Sequence, residues 1–306
     1  MRLNRYSVHG VVLESEIDLA LPTTERETGP VITIRCGHVP LPTDWQFESR
    51  TRGLTGKPIY QVQHEGPSFV VAFPDRYVMQ VTQHEILVDC HPSDAQVRPF
   101  VMAKPLSLCL ELNGLVVLHA ASCLIGDQLI ALMGPSLAGK TSLSLALREY
   151  GHHIHTDDVI VLDPTDESFT VASGPIWSKV WPDTAERFVP DFYQSPLVTT
   201  ATTKRMVARS RVHDAAKLAH LFALERTVDV DDVEIVPLAP AKALVSLVTM
   251  THLAEIEVML PNRAARMALL ATLVDQIEVH QLRYPTGFDH LPKVVSLLDR
   301  YVSQRS

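Results

Sequence analysis

Gly134-Pro135-Ser136-Leu137-Ala138-Gly139-Lys140-Thr141 decides the fold of this chain, because both glycines, the lysine and the hydroxyl stand in the register of a phosphate-binding loop. Its surroundings agree. The apolar run Leu129-Ile130-Ala131-Leu132-Met133 leads in and reads as a buried parallel strand. Thr141 to Tyr150 leads out, reads as a helix and stops at Gly151. In such a strand–loop–helix, successive backbone N–H groups aim at one spot, and the helix dipole favours an anion there. The residues expected to cradle that anion are Gly134, Pro135, Ser136, Leu137, Ala138, Gly139, Lys140, Thr141 and Ser142. Lys140 would neutralise terminal phosphate charge, and Thr141 would offer its hydroxyl to Mg²⁺. A glycine-rich turn that binds nothing accounts for the glycines but leaves the lysine and the hydroxyl unexplained.

Composition sets the outer bounds. A chain of 306 residues allows one large domain or two ordinary ones. With 46% hydrophobic and 20% charged residues it reads as a soluble globular protein, and no apolar run is long enough to span a bilayer. The opening Met1-Arg2-Leu3-Asn4-Arg5-Tyr6 has two basic residues but no apolar stretch behind them, so the expectation is a cytoplasmic protein with no membrane partner. A net charge of −8 argues against a nucleic-acid partner, which would require a basic face. Cys36, Cys90, Cys109 and Cys123 are scattered, which favours free thiols over a zinc site or disulfide framework. His152-His153-Ile154-His155 could be drawn as a metal site, but it reads more simply as a helix end running into a strand.

Around the loop the texture changes once. Val31–Arg35, Ile59–Gln63, Phe69–Phe73, Tyr77–Val81 and Ile86–Val88 are short β-branched runs separated by turn residues, with Pro74-Asp75-Arg76 as a hairpin turn. Leu106 to Leu112 suggests a helix ended by Asn113-Gly114. Beyond it strands and helices alternate, the mark of an α/β core. Late elements are a helix over Asn262–Ile277, a strand over Val279–Arg283 and a helix over His290–Val302. The expected organisation is a β-rich N-terminal domain over 1–104 and an α/β phosphate-loop domain over 105–306. Lys204, Arg205, Arg209 and Arg211 make 199–211 basic, either a solvated loop or one that covers a phosphate or substrate.

Two further segments narrow the chemistry. Leu118-His119-Ala120-Ala121 precedes the loop strand, and Thr156-Asp157-Asp158 follows the loop helix. Ligands of such sheets collect at the carboxyl ends of strands. A carboxylate there can accept a proton from an attacking hydroxyl, a second can help hold Mg²⁺, and an imidazole can orient one of them.

The run from Leu118-His119-Ala120-Ala121-Ser122 through the loop to Thr156-Asp157-Asp158 resembles the catalytic domain of HPr kinase/phosphorylase. The resemblance implies a phosphate-loop kinase domain related in fold to phosphoenolpyruvate carboxykinase, a homo-oligomer as in those hexamers, ATP and Mg²⁺ as cofactors, and a serine hydroxyl as acceptor. It implies Asp157 as the base, with His119 as its partner and Lys140 on the phosphates. Asp158 is the second acidic residue, grouped with Thr141 and Asp183 as metal ligands. Asp183 enters because Val180-Trp181-Pro182-Asp183 falls near the family's metal-binding glutamate. Two departures stand out. Ser142 replaces a glutamate, and the glycine-rich stretch tied to the reverse reaction is absent, which favours kinase activity alone. Trp177 and Trp181 are expected to pack in the core.

A closer resemblance is to the HPr-kinase-like proteins of lasso-peptide biosynthesis. It is carried by Tyr6-Ser7-Val8-His9-Gly10, Val180-Trp181-Pro182-Asp183, Lys204-Arg205 and Leu282-Arg283-Tyr284-Pro285. It implies phosphorylation of the C-terminal serine of a precursor peptide. A small-molecule kinase acting on free serine, and a nucleotide-binding regulatory module without transfer, remain alternatives on the same residues.

Overall fold

The structure is a computed structural model and describes residues 3–25, 29–53, 55–165, 168–199, 202–210, 215–228, 230 and 232–305. It divides into two compact units. The first is built from the chain up to Val117 together with His252–Arg263. The second is built from Leu118–Val198, Thr202–Thr251 and the chain from Ala264 onward. The first unit therefore runs past the expected boundary at residue 104.

The first unit holds β1 (Asn4–Val8), β2 (Val11–Ser15), β3 (Val31–Cys36), β4 (Phe47–Glu48), β5 (Gln61–Glu65), β6 (Ser68–Phe73), β7 (Tyr77–Val81) and β8 (Glu85–Val88), joined side by side in the order β1-β2-β3-β8-β7-β6-β5-β4. Pro74-Asp75-Arg76 turns β6 into β7, with Asp75 at φ 63° and Phe73 opposite Tyr77. β5 starts two residues later than expected: Ile59 and Tyr60 still bond to the 49–51 segment, through the Ile59 N–H to the Thr51 carbonyl and the Ser49 N–H to the Tyr60 carbonyl, but the Ser49 hydroxyl also accepts from both their N–H groups, so the pairing there is irregular. The β1–β2 hairpin turns on His9-Gly10, both with positive φ (53° and 80°), the geometry of a two-residue primed turn. After α1 (Arg98–Val101), α2 (Lys104–Leu112) starts on Pro105 and ends at Asn113 and Gly114, the glycine at φ 84°.

Past β9 (Val116–Leu118), the second unit strings together β10 (Ala120–Ile125), β11 (Gln128–Met133), α3 (Lys140–Glu149), β12 (His153–Thr156), β13 (Ile160–Pro164), β14 (Phe169–Ala172), β15 (Trp177–Val180), α4 (Pro182–Phe188), β16 (Arg205–Ala208), β17 (Ala215–Thr227), β18 (Glu234–Pro237), α5 (Pro240–Thr249), α6 (Arg263–Gln276), β19 (Val279–Pro285) and α7 (Leu291–Ser303). It is a mixed α/β unit. β11 lies parallel to β17 and antiparallel to β10, and β10 is antiparallel to β12. β19 runs parallel to β17. It follows that β11, β12, β17 and β19 all end at the same sheet edge, where β10 begins. Leu143, Leu145, Ala146 and Leu147 of α3 are buried in one core with Ile130 and Leu132 of β11 and with Val294, Val295 and Leu298 of α7. Each such leucine contributes about 1.5–3 kcal/mol through burial, so the helix that follows the loop is fixed firmly to the sheet.

Candidate active site

The common edge gathers the chemistry. The loop leaves β11, Asp157 and Asp158 follow β12, His119 precedes β10, Arg226 stands near the end of β17 and Tyr284 near the end of β19. Leu137 (φ 68°) and Gly139 (φ 97°) let the loop close on itself. A Cβ on Gly139 would lie 3.0 Å from the Tyr284 hydroxyl and 3.4 Å from Cδ of Arg226, so only glycine fits there.

Lys140 opens α3 and is buried, yet its ammonium is fully engaged. It donates to the carbonyls of Gly134 (2.6 Å) and Pro135 (3.0 Å) and lies 3.0 Å from Nε2 of His119. Three N–H donors thus meet three acceptors. The ring nitrogen roles follow. His119 Nδ1 is 2.9 Å from the Asp158 carbonyl, which can only accept. Nδ1 therefore carries the proton and Nε2 presents its lone pair to Lys140. Burial pushes the Lys140 amine down to about 8, opposed by the nearby carboxylates of Asp158 and Asp157.

The two aspartates occupy different surroundings. Asp158 adopts a left-handed φ of 72°, tolerated by a short polar side chain, and lines the cavity. Its Oδ2 is 3.0 Å from Nζ of Lys179, and its Oδ1 is 3.5 Å from Nδ1 of His119. Asp157 stands behind the loop hydroxyl: its Oδ1 accepts from Oγ1 of Thr141 at 3.2 Å. Its Oδ2 is buried and has no hydrogen-bond partner among the described residues. The Ser178 hydroxyl is near enough to favour the charged form without closing a bond of normal geometry. Burial raises the Asp157 pKa, and the charge of Arg209 opposes it. Arg209 is held by the carbonyls of Ile154 (3.0 Å) and Pro175 (2.5 Å).

A cavity of about 140 Å³ is lined by Ser136, Leu137, Gly139, Lys140, Thr141 and Ser142 of the loop, with His119, Asp158, Lys179, Trp181, Asp183, Thr184, Lys204 and Arg226. Of the expected residues, Gly134 and Pro135 act through their carbonyls on Lys140, the Ala138 carbonyl accepts from Tyr284 (3.4 Å), and Asp157 reaches the site through Thr141. Oδ1 of Asp183 accepts from the Thr184 N–H (2.7 Å), and the Thr184 hydroxyl is 3.0 Å from that of Ser142.

Lys179, Thr184 and Arg226 escaped the sequence reading, and Trp181 was misread. Rather than core, Trp181 is 39% exposed and lines the cavity. The cause is strand register: β15 pairs with β16 up to Val180 opposite Arg205, so the next step sets Trp181 beside Lys204, whose Nζ lies 4.6 Å from the indole centroid. The basic segment therefore divides. Lys204 faces the site, Arg205 holds the Ser195 carbonyl and the rings of Phe192 and Tyr193, and Arg209 backs Asp157. Arg211 lies outside the described residues. The thiols are free: Cys109 and Cys123 are buried, Cys36 and Cys90 half-buried.

Among the described residues no group of three or more His, Cys, Asp or Glu side chains could hold a metal unaided. Mg²⁺ takes one or two carboxylates and otherwise keeps waters or substrate phosphates. The orphaned Oδ2 of Asp157 beside the Thr141 hydroxyl is a donor set of the right hardness. No helix among the described residues is long and apolar enough to cross a membrane.

No model of a known protein family matches the chain, and no curated protein matches it. Among solved structures it is similar to the Hpr(Ser) kinase/phosphatase from Coxiella burnetii, with 14% sequence identity over 62% of this chain and 99% of that chain and a TM-score of 0.34.

Proposed function

We propose that the protein is an ATP-dependent phosphotransferase that moves the γ-phosphoryl group to a serine hydroxyl of a peptide or small protein, with a lasso-peptide precursor as the acceptor favoured by the sequence resemblance. The observation that carries this reading is the gathering of the glycine loop, a buried lysine, a histidine and two carboxylates at the same end of the strands. Nucleotide binding alone would leave His119 and Asp158 without a task. Phosphoryl transfer uses them all, since it needs alignment and charge neutralisation more than covalent help from the protein.

In the reaction the acceptor oxygen bonds to the γ-phosphorus, the bond from that phosphorus to the bridging oxygen breaks, the nucleoside diphosphate leaves, and the hydroxyl proton passes to a carboxylate. The sequence makes Asp157 that base and Asp158 a metal ligand. The contacts favour the opposite division. Asp158 lines the cavity beside His119, whereas Asp157 is buried against the Thr141 hydroxyl. We therefore assign proton acceptance to Asp158, its orientation to His119 and Lys179, and Mg²⁺ retention to Thr141 and Asp157. Bound Mg²⁺ would supply charge neutralisation on the phosphates. Lys140 and Lys204 add positive charge from the protein side.

The test is mass spectrometry of a serine-ended peptide after incubation with ATP and Mg²⁺, followed by kinetics of two variants. Asp158→Asn should lose about 10²- to 10⁴-fold in kcat with an unchanged Mg²⁺ requirement. Asp157→Asn should need roughly 10- to 100-fold more Mg²⁺. Turnover close to normal in Asp158→Asn, with Asp157→Asn inactive at any Mg²⁺ level, returns the base to Asp157. A peptide panel left unmodified while ATP binds leaves the regulatory-module reading in its place.

A further inference from the structure

A second cavity, of about 200 Å³, adjoins the phosphate pocket and is not yet assigned a ligand. Gly139, Ser142, Asp183 and Arg226 line both cavities, so the two are continuous around the start of α3. The second differs in chemistry. Tyr284, Thr286, Gly287, Phe288 and Leu291 complete it, and no lysine or histidine lines it. Phe288 is half-buried, set edge-on to Phe188 with ring centroids 5.7 Å apart and planes at 86°.

The polarity of a bound triphosphate is set by the loop. Lys140, His119 and Asp158 mark the end where the terminal phosphate is transferred, because they hold the cation and the carboxylate that transfer requires. The amides of the helix start take the phosphates nearer the nucleoside. A chain of three phosphates lying from Lys140 past Thr141 to Ser142 therefore delivers its sugar and base at the shared wall, and the second cavity opens there.

Resting on the phosphotransferase reading above, we propose that the cavity between Gly139, Arg226 and the segment Tyr284–Leu291 holds the nucleoside of the bound triphosphate, with the base against Phe288. The edge-reading groups that separate one base from another, asparagine, glutamine or a free carboxylate deep in the pocket, are missing from its lining apart from Asp183 at the shared wall. Recognition here is by ring stacking and shape, which every base offers.

The experiment compares ATP with inorganic tripolyphosphate, which carries the phosphates but no nucleoside. Binding of each is measured calorimetrically to the full chain, to Phe288→Ala, and to Thr286→Trp, which fills the cavity without removing a core contact. Both variants should weaken ATP roughly 5- to 150-fold, the range of base-stacking losses, and leave tripolyphosphate within about twofold. Equal losses for both ligands in both variants, or ATP binding unchanged in Thr286→Trp, overturn the subsite. ATP binding no tighter than tripolyphosphate in the unaltered protein does the same. If neither ligand binds the unaltered protein, the phosphate-loop reading itself falls, and the subsite with it.

Discussion

At the scale of single residues the site turns on Lys140. Its amine is held near 8 by burial, well below its ordinary value of 10.5. The sign comes from proton counting. Between those two pH values the unfolded chain binds a proton that the folded one has released, so stability without ligand rises as pH climbs through that window. Phosphates act oppositely, because anionic oxygens beside the amine favour its charged form. Binding of ATP near pH 8.5 should therefore take up a substantial fraction of a proton, and binding at pH 6.5 should take up almost none through this group. Calorimetry in buffers of different ionisation enthalpy measures the uptake directly. Zero uptake across pH 7–9 would falsify the placement of Lys140 on the phosphates. His119 belongs to the same network. The Asp158 carbonyl holds the Nδ1 proton, which leaves Nε2 as the lone pair that Lys140 donates to.

At the scale of elements, the strand–loop–helix was the most legible feature of the chain, because glycine spacing, strand apolarity and helix start all report on a few consecutive residues. β11 and α3 lie within one residue of where the pattern puts them. What the sequence could not show depends on pairing between distant segments. Lys179 and Trp181 look like an ordinary strand end until β15 is set against β16, and Arg226 looks like any exposed arginine until β17 is set beside β11. The β1–β2 hairpin was missed because His-Gly is a weak turn signal beside Asn-Gly. Asp157 and Asp158 are adjacent in sequence, yet a single left-handed residue turns one into the cavity and leaves the other behind Thr141. The loop itself makes a sharp prediction. Gly139→Ala forces a Cβ at φ 97° towards the Tyr284 hydroxyl, a strain of about 1–3 kcal/mol. We expect the unfolding free energy from urea titration to fall by that amount and tripolyphosphate binding to be lost. Binding retained at normal affinity, with unchanged stability, would mean that the loop does not need this conformation.

At the scale of the whole molecule neither unit is one continuous stretch of chain. Residues 252–263 return to the first unit, where Leu253 and Ile256 are fully buried and Leu260 nearly so. Within that unit the Tyr60 hydroxyl donates to Glu255 at 2.5 Å, and the Ser107 hydroxyl is 2.7 Å from Nδ1 of His252. Composition marks a change of texture near residue 104, but no local signal says that a helical turn some 150 residues later completes the earlier unit, because that is a fact about burial between remote segments. A fragment 105–306, cut where the sequence alone suggests, would carry those three apolar side chains without most of the unit to which they belong. Its counterpart 1–104 would leave the Tyr60 hydroxyl without its carboxylate, a loss of about 1–3 kcal/mol for a buried polar group. We expect 105–306 to elute from size exclusion as aggregate, as exposed apolar surface dictates, and Leu253→Ser/Ile256→Ser/Leu260→Ser within it to restore a monomeric peak. In the full chain the same triple change should instead destabilise, since each loss of a buried aliphatic side chain costs about 2–5 kcal/mol. A 105–306 fragment that is monomeric as cut, melts sharply and binds tripolyphosphate like the intact protein would show that residues 252–263 belong with the α/β unit instead.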